Sequence, residues 1–190
     1  VMKYFLMPFL TEFRNKYPLI KMDISFQDPS KIGMALTSGQ LDLAILTTPI
    51  EEDERLGVLS WMEFSDVMLA GNAYSELKED TYSLQKLVDY PFVTMRNGMS
   101  ARVYLERVFL DYGAALNPVY EAESMPLVLD MLEAGFGIGC APEFYAEEAL
   151  KRKKVFEVHL EKPLPKREIC AVYAKGAPGN LARDEFLRIF

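Results

Sequence analysis

Along almost the whole chain, short apolar runs of strand character alternate with segments whose apolar residues recur at helical spacing. Glycine, proline or a small hydroxyl residue marks nearly every change. A chain patterned this way is expected to fold as α/β, with parallel sheets carrying helices on both faces. Phe5, Phe9 and Phe13 recur every four residues, with Leu6, Leu10 and Tyr17 beside them, which predicts an amphipathic helix. Pro8 sets its regular start and Tyr17-Pro18 its end. Ile20, Met22, Ile24 and Phe26 alternate with polar residues and predict a strand. Asp28 as cap and Pro29 in the first turn open a helix that runs to Ser38 and stops at Gly39. Leu41 to Leu46, broken only by Asp42, predicts a buried strand, Val58 to Gly71 one or two strands, Ser83 to Val88 a short helix, and Pro91 to Met95 a strand. Ser100 is expected to cap a helix bearing Val103, Leu105, Val108, Phe109 and Tyr112 and ended by Gly113. Further strands are expected at Val119 to Ala122, Gly137 to Ala141, Val155 to Leu160 and Glu168 to Tyr173. Ser124 should cap a helix from Met125 to Ala134, Pro142 should open another, and the tail from Leu181 to Phe190 reads as helical. Nothing in this series is a repeat, a low-complexity tract or a flexible linker, so any connection between two lobes must itself be a strand.

Composition narrows the function classes. With 190 residues, half of them hydrophobic, the chain can bury one large core or two small ones. A net charge of −7 opposes contact with nucleic acid, because phosphate binding needs clustered lysine and arginine. The one basic run, Lys151 to Lys154, reads as a solvated helix end. Cys140 and Cys170 lie in apolar strand-like runs without metal or redox spacing, which predicts two buried reduced thiols and a cytoplasmic setting. With His159 as the sole histidine, a His-rich metal site is excluded and a His-based triad has no support; no metal and no cofactor are expected. No run approaches about 20 apolar residues, so no membrane partner is expected. The apolar start, Val1 to Leu10, lacks the features of a signal peptide, and Val1 falls inside a helical pattern, which reads as a fragment of a longer protein.

The residues able to carry chemistry sit at strand-to-helix junctions. These are Asp28, Pro29 and Ser30; Thr47, Thr48 and Pro49; Asn97, Gly98 and Ser100; and Ser124. In an open parallel sheet, ligands bind beyond the carboxyl ends of strands, where helix N-termini offer unpaired N–H groups and partial positive charge. An anionic or carboxylate guest suits such a place, and Arg96 and Arg102 could add charge-assisted bonds. Each of these residues is also an ordinary cap or surface arginine, so the reading depends on their convergence. Gly135-Phe136-Gly137-Ile138-Gly139 lacks the Lys-Ser/Thr ending of a P-loop and precedes a strand instead of following one, which makes it a turn with close packing. Glu121 and Glu123 flank a strand end, but nothing nearby supplies a nucleophile or an activated water.

Four segments, in order, resemble the effector-binding domain of LysR-type transcriptional regulators. They are Leu6-Met7-Pro8-Phe9-Leu10-Thr11-Glu12-Phe13 with Tyr17-Pro18; Leu36-Thr37-Ser38-Gly39-Gln40-Leu41-Asp42-Leu43-Ala44-Ile45; Tyr90-Pro91-Phe92-Val93; and Gly135 to Gly139 with Ala141-Pro142. The resemblance spans essentially all of the chain. It implies a periplasmic-binding-protein-like fold of two Rossmann-like lobes, the first about 1–67 plus 169–190 and the second about 68–168, with a small-molecule effector in the cleft between them. Site residues implied are Thr47, Thr48, Asn97 and Ser100, with Arg102, Ser124, Ser30 and the Pro142 junction as further candidates. It also implies a homodimer or homotetramer in which Phe5 to Gln27 meets Ser100 to Ala122 of the partner copy. DNA would be bound only through an N-terminal winged helix-turn-helix that this chain lacks; the first strand and its ligand-contacting loop are likewise expected before Val1.

The function expected is therefore effector sensing and oligomerisation, without catalysis. A solute-binding receptor of a transporter shares the fold and would need a signal peptide or lipid anchor upstream. An enzyme on the same fold would need a catalytic constellation that the sequence does not display.

Overall fold

The computed structural model describes residues 5–176 and 179–189. The chain divides into two units, Val1–Met62 with Glu168–Phe190, and Glu63–Arg167. It leaves the first unit within strand β2 (Leu56–Phe64) and returns within strand β10 (Arg167–Ala174).

The first unit has helices α1 (Met7–Lys16) and α2 (Pro29–Thr37), strand β1 (Ala44–Thr47) and helix α7 (Leu181–Leu187) around a three-stranded sheet ordered β1-β10-β2. Pro8 falls in the first turn of α1, where a missing N–H costs nothing. Asp28 caps α2 by accepting from the Ser30 N–H at 3.0 Å, and Gly39 ends that helix with φ of +75°. Alternate residues of the sheet feed two clusters. Ala44, Leu56, Val172 and Ala174 pack with Ile32 and Leu36 of α2, while Leu10 and Phe13 of α1 pack with Phe186 of α7, and Ile45 and Trp61 lie against them. The tail helix ends at Leu187, and the expected endpoints Val1 and Phe190 lie outside the described residues.

The second unit is a five-stranded sheet ordered β6-β5-β7-β3-β8. Its strands are β3 (Asp66–Gly71), β5 (Phe92–Met95), β6 (Pro118–Ala122), β7 (Ile138–Pro142) and β8 (Val155–Glu157). A 3-10 helix (Asn72–Leu77), a small parallel pair β4 (Thr81–Tyr82) and β9 (His159–Leu160), and helices α3 (Leu84–Leu87), α4 (Ser100–Asp111), α5 (Met125–Glu133) and α6 (Glu143–Lys151) complete it. Every residue of β5 and β7 is buried, and successive side chains serve opposite faces. Phe92, Ile138 and Cys140 join Leu105 and Phe109 of α4, whereas Val93 and Ala141 join Val128 and Leu132 of α5 and Ala146 of α6. Gly137 is there for close approach, since a Cβ on it would stand 2.1 Å from the Pro91 carbonyl oxygen. Gly135 has φ of +79° and ends α5, so the glycine-rich segment is a turn with close packing.

Three expectations are corrected. The run from Ile20 to Phe26 is not a strand: none of its residues lies in an assigned element, and Met22, Ile24 and Phe26 are 38%, 50% and 90% exposed. Alternation supplies a face to bury, but a strand also needs a hydrogen-bonded neighbour, and no described ladder includes these residues. Neither main sheet is all parallel, and that of the second unit is mixed. β5 runs parallel to β6 and β7, but β3 is antiparallel to β7 and β8, and β1 is antiparallel to β10. β3 directly follows the crossing in β2, and β10 carries the return crossing, so no helical crossover imposes a parallel direction on either. Ser100 does not cap α4: Met99 holds the extended N-cap position, without a side-chain cap bond, and Ser100 is the first helical residue.

Candidate functional site

The registers of the second unit bring several junctions to one edge. Met95 lies opposite Ala122, so the carboxyl ends of β5 and β6 coincide; Pro142 ends the parallel strand β7 and pairs with Asp66 at the start of β3. Onto this edge open the turn of Asn97 and Gly98 with Ser100 at the start of α4, Ser124 at the start of α5, and Pro142 at the start of α6. Asn97 is exposed, Gly98 has φ of +83°, and Ser100 is half-buried. The backbone N–H of Arg96 donates to the Ala122 carbonyl at 3.0 Å, tying the turn to the end of β6.

Not every candidate side chain is available. Ser124 is a working cap whose hydroxyl accepts from the Leu127 N–H at 3.4 Å. Arg102 is buried and committed to two carboxylates, Glu106 at 2.8 Å and Glu121 at 2.7 Å. Arg96 pairs with Glu123. The two glutamates that flank the end of β6 are thus counterions of arginines.

In the first unit, Thr47 ends β1 opposite Ile169, and Thr48 extends the ladder. The Thr48 N–H donates to the Glu168 carbonyl at 3.0 Å, and the Glu168 N–H donates to the Thr48 hydroxyl at 2.9 Å. The Thr48–Pro49 peptide is cis. Beside them a hollow is lined by Thr48, Glu51, Glu52, Asp53, Glu54 and Glu168, among others, and its acidic wall does not suit a carboxylate guest. Ser30 donates its hydroxyl to Asp28 at 2.8 Å, which, with the Ser30 N–H, holds the Asp28 carboxyl below its ordinary value.

Two residues central to this edge are absent from the sequence-based candidates. Asp66 and Arg167 form a buried ion pair, Oδ2 to Nη1 at 3.2 Å, and Arg167 Nη2 lies 3.5 Å from the Ser100 hydroxyl. The guanidinium carbon sits 5.1 Å from the Phe64 ring centre and 4.9 Å from that of Tyr104. Burial pushes the Asp66 carboxyl up from its ordinary value, against the pull of the Arg167 charge, and burial likewise raises the Tyr104 hydroxyl and the Cys140 thiol. Asp66 adjoins an apolar run, but Arg167 lies in a charged stretch between Lys166 and Glu168, and no local pattern shows that the two meet across 101 positions.

Cys140 and Cys170 are free and buried, one in each unit. Among the described residues there is no cluster able to hold a metal ion and no helix long and apolar enough to cross a membrane.

Known proteins resemble the chain as follows. The family described as LysR substrate binding domain matches residues 1–190. The HTH-type transcriptional regulator cbl of Escherichia coli (strain K12) is 21% identical over 141 residues, which is 74% of this chain and 45% of the regulator. The chain therefore spans less than half the length of that relative. Among solved structures, the Synechocystis PCC6803 CcmR regulatory domain in complex with 2-PG superposes with a TM-score of 0.85 at 19% identity, covering 98% of this chain and 89% of the other. The effector binding domain of QuiR in complex with shikimate superposes with a TM-score of 0.82 at 17% identity, covering 98% and 88%. At these identities the superpositions show the fold, a two-lobed periplasmic-binding-protein-like architecture. The matches are regulators, and they do not favour a transporter receptor.

Proposed function

Since this chain belongs to the LysR substrate binding domain family, a family of transcriptional regulators and not of enzymes, we propose that it senses a small anionic effector for a cytoplasmic regulator whose DNA-binding part is a separate N-terminal domain. The observation that carries the anionic preference is the edge of the second unit. There the start of α4, with the partial positive charge of a helix N-terminus, presents Ser100 and Asn97 beside the start of α5. Shikimate, held by QuiR, is a carboxylate, which agrees with this chemistry. Ser100 and Asn97 are the proposed contacts of the second unit and Thr47 that of the first. Thr48, Arg102, Ser124 and Ser30 take a lesser part, because their polar groups already serve the Glu168 N–H, Glu106 and Glu121, the start of α5, and Asp28.

Thermal unfolding against small carboxylates, amino acids and inorganic anions tests this reading. An effector at 100 times its dissociation constant adds about 2.7 kcal/mol and raises Tm by roughly 5–10 °C. The shift should vanish in Ser100→Ala and fall in Thr47→Ala. Trp61, the single tryptophan, provides a fluorescence check. A shift unaffected by both variants would remove the proposed site, and turnover of a bound ligand would replace the sensor with an enzyme.

Self-association through residues 5–27 and 100–122 is part of the same proposal. It is supported by the exposure of Leu19 at 95%, Phe26 at 90%, Leu110 at 69% and Val119 at 60%, apolar side chains that a partner copy would cover. Sedimentation should give at least twice the 21.7 kDa of one chain, and Phe26→Ser should weaken the association. A single-chain mass at all concentrations would end this part of the proposal.

A further inference from the structure

The starts of β3 and β10 and the end of β2 meet, in the second unit, at one guanidinium. Arg167 is the first residue of β10, Phe64 the last of β2 and Asp66 the first of β3. The side chain of Arg167 is only 2% exposed and that of Asp66 3%. The rings of Phe64 and Tyr104 flank the guanidinium, and Tyr104 is itself fixed by donating its hydroxyl to the Pro165 carbonyl at 2.6 Å. With Nη1 on Asp66, Nη2 is directed at the Ser100 hydroxyl, 3.5 Å away.

A guanidinium has donors and no acceptor. Toward Ser100 it can only donate, so it engages a lone pair of Oγ and turns the hydroxyl proton away from itself. A hydroxyl held this way is biased to donate, and it stands on the first residue of α4, at the positive end of the helix. A donor placed there suits acceptor oxygens, those of a carboxylate, sulfate or phosphate. Buried as it is, Arg167 does not reach such a guest itself. We infer that Arg167 is a positioning residue of the Ser100 site, fixing the Ser100 hydroxyl as a donor and so selecting anionic oxygen ligands over their neutral analogues. Asp66 and the two rings hold the guanidinium in place for this. The inference rests on the reading that Ser100 contacts the effector.

Two measurements separate the inference from that reading. The first needs no ligand. Ser100→Cys puts a thiol where Arg167 donates, and its alkylation by iodoacetamide is followed against pH, with the parent chain as background for the buried Cys140 and Cys170. A neighbouring cation and a helix start both favour thiolate. Adding Arg167→Lys, which keeps a charge opposite Asp66 but loses the fork, or Arg167→Gln with Asp66→Asn, which removes both charges together, leaves the helix start intact. Each should lower the alkylation rate at pH 7 by about tenfold, the change expected of a thiol pKa one unit higher. An unchanged profile in both backgrounds overturns the inference whatever the ligand does. The second measurement titrates the chain with sulfate, and with shikimate against methyl shikimate. Arg167→Lys should lose about tenfold of the preference for the acid over its ester while its unliganded Tm stays within a few degrees of the parent. A preference retained in full by Arg167→Lys also overturns the inference. If the parent chain binds neither sulfate nor shikimate, the anion-site reading fails, and the alkylation profile still decides where Arg167 directs its bond.

Discussion

The two units use the same alternation of apolar and polar residues to different ends. In the second, β5 and β7 are central strands buried along their whole length, with helices closing both faces. In the first, β2 has its middle exposed, the sheet has three strands, and the apolar run from Leu19 to Phe26 is left outside the described ladders. Periodicity specifies which side chains want burial; a neighbouring strand decides whether they obtain it. The charges differ in the same way. The second unit's central ion pair joins residues 101 positions apart and is buried. In the first unit, the pair of Asp53 with Arg55 spans two positions at the surface.

The sharpest break in that comparison is Asp66→Ala. It takes the Asp66 carboxylate away from the buried Arg167 guanidinium, and removal of one partner of a buried pair costs about 3–5 kcal/mol. Chemical denaturation should show the loss; a change under 1 kcal/mol would mean that water already solvates Arg167. Next come two cavity variants, one per unit. Leu132, fully buried against β5 and β7, and Leu36, 1% exposed against β1 and β10, should each cost about 2–5 kcal/mol on truncation to Ala. Because each unit has its own core, hydrogen exchange should quicken mainly in the unit that carries the substitution. Uniform quickening would show one cooperative core and erase the distinction. Smaller again is Ser124→Ala. Its cap bond is long at 3.4 Å, so the loss should lie near about 0.5–1 kcal/mol, the low end for caps.

Local signals account for what the sequence disclosed. Asp28-Pro29, Gly39, Gly113, Ser124 and Gly135 mark helix ends by backbone chemistry that acts within a few residues, and the structure uses each in that way. Ser100 shows the limit: a serine before a helical pattern reads as a cap, yet Met99 took that position and left the hydroxyl facing Arg167. Strand direction was not legible, because no helical crossover precedes β3 or β10 to impose a parallel direction. Nor was the fate of Arg102, whose two glutamate partners depend on how α4 lies against β6. Of the site, the junctions were readable and the buried pair beneath them was not, since no local pattern links positions 66 and 167.

The comparison of charges can be sharpened by pH, because the two carboxylates respond with opposite sign. The Asp53 carboxyl is held down to about 2 by the Arg55 side chain and N–H. A depressed folded value adds stability that is full above the ordinary value of 3.8 and is lost as pH falls toward 2. The Tm of the parent should therefore gain on that of Asp53→Asn as pH rises from about 2 to 5, by a small amount that salt reduces because the pair is exposed. Asp66 is raised by burial. A raised folded value favours the protonated carboxyl, so its stabilisation is full below 3.8 and is lost as pH climbs through the folded value. The parent should lose ground to Asp66→Asn over that rise, and salt should matter less because the pair is buried. Two Tm differences moving in the same direction with pH would mean that the two units hold their carboxylates by the same means, and the contrast between local surface pairing and long-range buried pairing would fall.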